Sequence, residues 1–415
     1  MKKDLSFSWT ESIGVLIHDQ RVILGNTSSG EWIKISQECY QLLQIIIEQQ
    51  YSIQEFIDAL QTEDDKRYMC DLFQKLLILG VITQNSHIKG DVPKYITFAV
   101  TGRCNLRCRH CSVMASNAPE VLNLDECKKV IKKIITLDPL QIVFTGGEPL
   151  LKQGILELLV YTRKQFKGNI GIMTNGTLFS NENIPKIIPL VDSIDISLDG
   201  IDEDTCTRIR GKGVFTKVIE AVQSIQKEGF KNISLSMVVT KENQSYTQKF
   251  YELNQQLGTK PMLRAFSPIG RGEENRSELE INQSQKKING NEINDSDMKI
   301  FSCGAFKKMM YIDYYGNMFP CPALFDEKYS MGNILEQEDL LRFFSEKEIE
   351  KKSNYNNFLE LYPQNCPECK ECDVNLFCWS CLHHIDMLQK GLISKYPNCE
   401  TRKKQLQTII WEEES

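Results

Sequence analysis

Three cysteines, Cys104, Cys108 and Cys111, stand together as C-N-L-R-C-R-H-C, a C-x3-C-x2-C spacing. Such a loop offers three thiolates to one metal centre, whereas a tetrahedral zinc or a fully ligated iron–sulfur cluster takes four ligands. One metal atom is then left open for a small molecule to chelate. A zinc loop or scattered core thiols are the plainer readings of the same residues. Downstream comes Thr145-Gly146-Gly147-Glu148-Pro149. Paired glycines let a backbone approach a ligand closely, and the adjacent carboxylate can accept from an ammonium group. A plain strand-to-helix turn is the alternative. A second cysteine group begins with Cys303 and Cys321, with Gly316 between them. It continues as Cys369-x2-Cys372-x5-Cys378-x2-Cys381-x17-Cys399, with Cys366 just upstream.

Cysteines so spaced need a scaffold. From residue 94 to about 270, strand and helix patterns alternate, as in βα units feeding a parallel sheet. Candidate strands are Tyr95–Val100, Gln141–Phe144, Ile170–Met173, Ser193–Leu198, Ile233–Val239 and Met262–Phe266. Amphipathic helices such as Leu124–Ile135 and Phe215–Gln226 lie between them. The cysteine triad follows the first strand and Gly146-Gly147-Glu148 the second. Thr174-Asn175-Gly176 follows the third, and Ser197-Leu198-Asp199-Gly200 the fourth. Strand C-terminal ends are where parallel βα folds place ligands.

Residues 1–90 read as a small α+β module with strands near Ile13–Ile17, Arg21–Leu24 and Trp32–Ser36. Ser36 is the expected N-cap of a helix carrying Tyr40, Leu42, Leu43, Ile46 and Ile47. Ser52 and Glu55 form a capping-box start, and a third helix runs from Asp64 to Leu79 with Gly80 closing it. Glu273–Met298 is polar and asparagine-rich and reads as a boundary loop or weak helix. Residues 300–400 show little periodicity, and a small region of that kind depends on metal for its stability. The expected division is 1–90, 91–272, a linker 273–299, and 300–415.

Bulk properties narrow the classes. The chain is 415 residues, 41% hydrophobic, with no apolar run of bilayer length and no export signal in its first residues. Fifteen cysteines in such a chain argue for metal or cluster ligation over disulfides, and for a reducing, low-oxygen cytoplasm. A net charge of −6 speaks against a nucleic-acid partner. Cys39, Cys70 and Cys127 fall in helical patterns as core thiols, and Cys206 in a loop.

The triad together with Gly-Gly-Glu-Pro resembles the radical S-adenosylmethionine (SAM) superfamily. The resemblance implies a partial (β/α)6 barrel, with a [4Fe–4S] cluster on Cys104, Cys108 and Cys111 that binds SAM at its open iron. It also implies that Gly146, Gly147 and Glu148 hold the methionine amine. Asn175 and Ser197 would line the ribose and carboxylate side, and Arg210, rather than Arg208, would pair the carboxylate. His110 stands where the family commonly has an aromatic residue near adenine. Cys206-Thr207 replaces a frequent His-Asp pair.

The second cysteine group resembles the SPASM domain, which houses two auxiliary [4Fe–4S] clusters; x2 stands where x3 is usual before Cys381. The resemblance implies that Cys369, Cys372, Cys378 and Cys399 ligate an outer cluster, and Cys303, Cys321 and Cys381 an inner one. Either Cys366 completes the inner set or a substrate thiolate does. His383 and His384 read as a solvated loop. Sulfatase-maturing relatives carry an aspartate base after the second SPASM cysteine; here Pro322 stands there, with Pro320 on the other flank.

Residues 1–90 resemble the winged-helix-like RiPP recognition element, which binds the leader of a ribosomal precursor peptide by strand addition. Their 8 Lys/Arg against 12 Asp/Glu disfavour the rival, a DNA-binding winged helix. Together these resemblances imply a radical SAM/SPASM maturase of the sactipeptide or ranthipeptide kind. Such an enzyme cleaves SAM reductively and joins a cysteine sulfur to a carbon of a precursor peptide. Its electrons would come from a donor such as flavodoxin or ferredoxin, and no membrane is involved. C–C cross-linking on the same scaffold stays open, as does a zinc-stabilised winged-helix regulator. No catalytic acid or base is named by the sequence.

Overall fold

The computed structural model describes residues 6–84, 91–117, 119–281, 298–379, 381–393 and 399–412. They divide into two compact units. The first holds the described parts of 1–90, 287–304 and 355–415, the second those of 91–286 and 305–354.

In the first unit, β1 (Ser8–Trp9) pairs antiparallel with β5 (Ile82–Thr83), while β2 (Ile13–His18), β3 (Arg21–Asn26) and β4 (Trp32–Ser36) form an antiparallel sheet in the order β2-β3-β4. Three helices follow: Gln37–Glu48 capped by Ser36, Ile53–Ala59 started by the Ser52/Glu55 capping box, and Glu63–Ile78 capped by Thr62. Period-2 alternation gives the sheet two apolar faces. Val22, Leu24 and Ile35 pack with Leu43, Ile46, Leu72 and Phe73 of the helices. Leu16 and Ile23 face the other way, onto Ile300, Leu376, Phe377, Ile410 and Trp411. The N-terminal module and the C-terminal cysteine segment therefore share a core. Trp32 Nε1 donates to Met298 O at 2.8 Å, and His18 Nδ1 lies 3.0 Å from Asp373 Oδ2.

The second unit carries the parallel α/β sheet expected from the alternation. Its strands are β6 (Tyr95–Thr101), β7 (Gln141–Gly146), β8 (Asn169–Thr174), β9 (Ser193–Ser197), β10 (Ile233–Val239) and β11 (Lys260–Ala265), in the order β11-β10-β9-β8-β7-β6. Helices pack against the sheet, and buried apolar residues recur at every second position, as in Ile142 and Phe144, Ile170 and Ile172, and Ile194 and Ile196. Beyond β6 the sheet gains β12 (Met309–Ile312), parallel to β6, and β13 (Met318–Phe319), antiparallel to β12.

That addition splits the region 300–415, expected as a single domain, between the two units. Pairing with β12 satisfies backbone groups along β6 that would otherwise sit on an open sheet edge. Of the expected linker 273–299, residues 276–279 form a short helix that buries Leu279, and 282–297 lie outside the described residues. Among the described residues no helix is long and apolar enough to cross a membrane.

Candidate functional site

The cysteine loop leaves β6 and is tied down at several points. Cys104 N donates to Ser116 O at 2.9 Å, and Arg109 N to Ile209 O at 3.0 Å. A tie that the sequence reading missed comes from Arg271, which is 6% exposed. Its Nε donates to Cys108 O at 3.0 Å, its Nη1 to Ala115 O at 2.8 Å, and its backbone N to Cys111 O at 3.0 Å. Gly270 makes this approach possible: its φ is +59°, and an added Cβ would sit 2.4 Å from Ser112 O. An arginine between two glycines just past the last βα strand was the available signal.

Two of the three thiols meet polar hydrogens. Leu106 N donates to Cys104 Sγ at 3.3 Å, Asn175 Nδ2 lies 3.8 Å from the same sulfur, and Arg210 Nη1 lies 3.8 Å from Cys108 Sγ. Burial raises the Cys104 thiol and pushes Cys108 up to about 11, with Arg210 opposing the shift at Cys108. Metal binding must displace those protons. Three soft thiolates, two of them with N–H donors turned on the sulfur, suit an iron–sulfur cluster, whose properties such hydrogen bonds tune. Among the described residues, no three His, Cys, Asp or Glu groups converge closely enough to hold a single metal ion.

Gly146-Gly147-Glu148 docks on the base of this loop. Gly147 N donates to Thr101 O at 2.8 Å and Glu148 N to Arg103 O at 2.7 Å. A Cβ on Gly146 would come 2.2 Å from Thr101 O, and one on Gly147 2.2 Å from Arg103 O. On their Cβ side the glycines thus admit the chain's own backbone. The Glu148 carboxylate, fully buried, accepts from Leu150 N at 3.0 Å, Thr174 Oγ1 at 2.7 Å and Asn175 N at 2.7 Å. Burial raises its pKa against those bonds. Its link to Thr174 and Asn175 joins the ends of β7 and β8.

Arg208-Ile209-Arg210 is the last turn of the helix Glu203–Arg210, which a capping box of Asp202 and Thr205 starts. Arg208 is exposed, whereas Arg210 is turned inward. Its partner is Asp199, which the sequence reading named only within the segment after the fourth strand, with Arg210 Nε 2.6 Å from Asp199 Oδ2. His110 Nε2 lies 2.5 Å from the same oxygen, and Val238 N donates to Oδ1 at 2.6 Å. Burial alone would raise the Asp199 carboxyl, but Arg210 and His110 outweigh it and hold it at about 2. Asp199 adopts φ +60°, a conformation aspartate tolerates better than most residues. Ser197 closes β9 beside Ser236. Cys206 belongs to the helix, not a loop. It is fully buried, donates to Leu198 O at 3.1 Å, and burial pushes it up to about 12.

In the first unit, burial pushes the Cys378 thiol up to about 11. Arg402 works against the shift, and Cys399 and Cys369 add to it. Cys372 is raised by burial, with Cys369 again contributing. Cys378 thus lies near Cys399 and Cys369, and Cys372 near Cys369. Cys366 is fully buried, with Cys369, a member of that set, beside it and Glu368 Oε2 at 3.0 Å. Cys303 and Cys381 also belong to the first unit, and Cys321 to the second. His383 and His384 lie in the helix Leu382–Gln389, not on a solvated loop, and burial pushes His383 down to about 4. Cys127 is a core thiol, whereas Cys39 and Cys70 are only half-buried.

Comparison with known proteins fits this geometry. The Radical SAM superfamily profile matches residues 98–253, and the SPASM iron–sulfur cluster-binding domain matches 303–373. Mycofactocin maturase MftC of Mycolicibacterium smegmatis is 26% identical over 307 residues, covering 68% of this chain and 76% of MftC. The antilisterial bacteriocin subtilosin biosynthesis protein AlbA of Bacillus subtilis is 28% identical over 277 residues, covering 61% of this chain and 60% of AlbA. The crystal structure of Streptococcus suis SuiB bound to precursor peptide SuiA superposes with a TM-score of 0.55 at 15% identity, covering 92% of this chain and 97% of SuiB. That likeness concerns the fold alone.

Proposed function

Because this chain belongs to the radical SAM superfamily and carries a SPASM domain, we propose that it matures a ribosomally made precursor peptide by joining a cysteine sulfur to a carbon. The observation that carries the reading is the three-thiol loop at the carboxyl ends of the parallel strands, with Asn175 and Arg210 turned on its sulfurs. When bound there, a reduced cluster and SAM supply hydrogen abstraction from an unactivated carbon, chemistry no side chain performs.

The chain's own residues position that chemistry. Cys104, Cys108 and Cys111 hold the cluster, and Arg271 fixes the backbone between them. Gly146, Gly147 and Glu148 form the seat for the methionine amine. By resemblance, Asn175 and Ser197 would line the ribose side, and His110, held on Asp199, would stand nearest adenine. Asp199 orients Arg210, whose five N–H donors leave some free for the SAM carboxylate after the contact through Nε. Cys369, Cys372, Cys378 and Cys399 take the outer auxiliary cluster, with Cys366 alongside. Cys303, Cys321 and Cys381 are assigned to a second auxiliary cluster by resemblance alone. The net reaction breaks one C–H and one S–H bond and forms one C–S bond; one hydrogen would leave on deoxyadenosine and the other as a proton, and the electron released on C–S bond formation would offset the one spent on cleaving SAM. Electrons come from a flavodoxin- or ferredoxin-like donor in a reducing cytoplasm.

The test is anaerobic incubation of the reconstituted protein with reductant, SAM and the neighbouring precursor peptide. A loss of two hydrogens with thiols consumed supports the thioether. The same loss with thiols still free removes it in favour of a C–C link. Cys104→Ala should abolish deoxyadenosine formation. Three bound zincs and no brown chromophore would remove the enzyme reading altogether.

The leader is proposed to add as a strand to the sheet β2-β3-β4. Deleting residues 1–90 is a poor test, since it would strip the cover from Leu376, Phe377 and Trp411. A proline substitution is cleaner. From the pairing register, the N–H of Ile17 on β2 points away from β3. Proline there removes one outward donor and spares the pairing with β3. If Ile17→Pro leaves leader binding unchanged, strand addition at the β2 edge is wrong.

A further inference from the structure

A cavity of about 410 Å³ lies where β12 and β13 meet the cysteine loop. Tyr311, Tyr314, Tyr315, Phe319 and Phe325 give it five aromatic rings. Tyr314 and Tyr315 lie with centroids 4.5 Å apart, and Tyr311 lies 6.4 Å from Phe319 and 6.5 Å from Phe325. Asp313, Asn317 and Glu327 supply its polar wall, and no lining side chain is cationic. Aromatic faces carry negative potential, so rings and carboxylates here act with one sign.

Asp313 sits in the turn between the two strands. Its Oδ1 accepts from Tyr315 N at 2.9 Å and Asn317 N at 2.8 Å, and its Oδ2 from Asn317 Nδ2 at 3.3 Å. These donors are neutral and fix the carboxylate without compensating its charge; burial raises its pKa. Oδ2, with a single long partner, keeps acceptor capacity.

The cavity borders the radical-generating loop. Val113, two residues past Cys111, lines it. The Tyr314 ring presses on Gly102, where an added Cβ would come 2.9 Å from its Cζ. A group held here is therefore held next to the residues that carry the chemistry.

We propose that this cavity is a specificity pocket for a lysine or arginine side chain of the peptide substrate, gripped between the tyrosine rings and Asp313. The peptide as occupant rests on the maturase reading. An acidic side chain would meet repulsion, and a neutral one would leave the half-buried carboxylate without a counter-charge.

The test uses the full-length, cluster-reconstituted protein and three probes followed by saturation-transfer NMR: Nα-acetyl-lysinamide, Nα-acetyl-argininamide and uncharged Nα-acetyl-norleucinamide. Both cationic probes should bind at least about fivefold tighter than norleucinamide, and Asp313→Asn or Tyr314→Leu should each remove roughly five- to tenfold of that preference. Equal binding of the three probes, or an intact preference in Asp313→Asn, overturns the proposal. Should Asp313→Asn lose its fold, Tyr315→Leu decides, because that ring is 49% exposed and replacing it leaves the core intact. It must cut the preference by about twofold or more, and an unchanged preference overturns the proposal. The two readings fail separately. Selective probe binding without any peptide modification keeps the pocket and removes the maturase. A modified peptide with unselective probes removes the pocket and keeps the maturase.

Discussion

Replacing Asp199 by asparagine should loosen the site more than any other single-atom change in it. The substitution keeps shape and tolerates the positive φ, and its Oδ1 can still accept from Val238 N. What changes is Oδ2, which faces Arg210 Nε at 2.6 Å and His110 Nε2 at 2.5 Å. An amide there turns N–H toward N–H and leaves the buried guanidinium without its counter-ion. Breaking one side of a buried pair costs about 3–5 kcal/mol. Hydrogen exchange read by mass spectrometry over 203–210 should therefore accelerate by at least two orders of magnitude. Asp195→Asn is the control. Its pair with Arg264, at 2.5 Å, leaves the arginine side chain 39% exposed. The Asp195 carboxylate is itself 12% exposed, but with the guanidinium open to water the loss should be smaller than at Asp199, about 1 kcal/mol. The sign with pH is fixed as well: Asp199 sits at about 2 in the fold, below the unfolded carboxyl at about 3.9. Its stabilisation is complete above the unfolded value and is lost as pH falls toward 2. The gap between parent and Asp199→Asn should close over that range. Exchange within threefold of the parent at neutral pH would refute the reasoning.

Gly147→Ala forces a Cβ to 2.2 Å from Arg103 O and should break the bonds from Gly147 N and Glu148 N. A loss of about 2–4 kcal/mol in urea unfolding, with deoxyadenosine formation down at least about tenfold, is expected. Unchanged turnover would mean the segment can move aside. Arg271→Lys keeps the charge but cannot bridge Cys108 O and Ala115 O together. Iron should then leave for a chelator several times faster while initial iron content stays near the parent's; equal rates would show that the loop needs no such clamp.

The sheet was legible because its strands are long, apolar and bounded by turn signals. Ile233–Val239 and Leu124–Ile135 match residue for residue, and the other strands shift by one or two positions. β12 and β13 were not legible. Met309-Met310-Tyr311-Ile312 is four residues with no alternation, and only the open edge of β6 makes it a strand. The thiols and Gly-Gly-Glu announced themselves by spacing. Asp199 and Arg271 did not, because their partners are backbone carbonyls and side chains far away in sequence, brought close only by the crossovers. His383 and Cys206 were misjudged for a related reason: a short helix with polar residues looks like a loop until its buried face is known.

The shared core of the first unit changes what the N-terminal module can be. Leu16 and Ile23 of its sheet lie in the same apolar cluster as Leu376 and Phe377, which sit between Cys372 and Cys378. Those thiols are half-buried against that cluster, so whatever holds them in place also holds one face of the sheet. The other face is covered by the module's own helices. With both faces covered, a peptide approaching the sheet is left with its edges, where backbone groups are offered and side-chain selectivity is weak. On the proposed strand addition, selectivity is exercised elsewhere along the peptide, the role proposed for the aromatic cavity beside the cysteine loop.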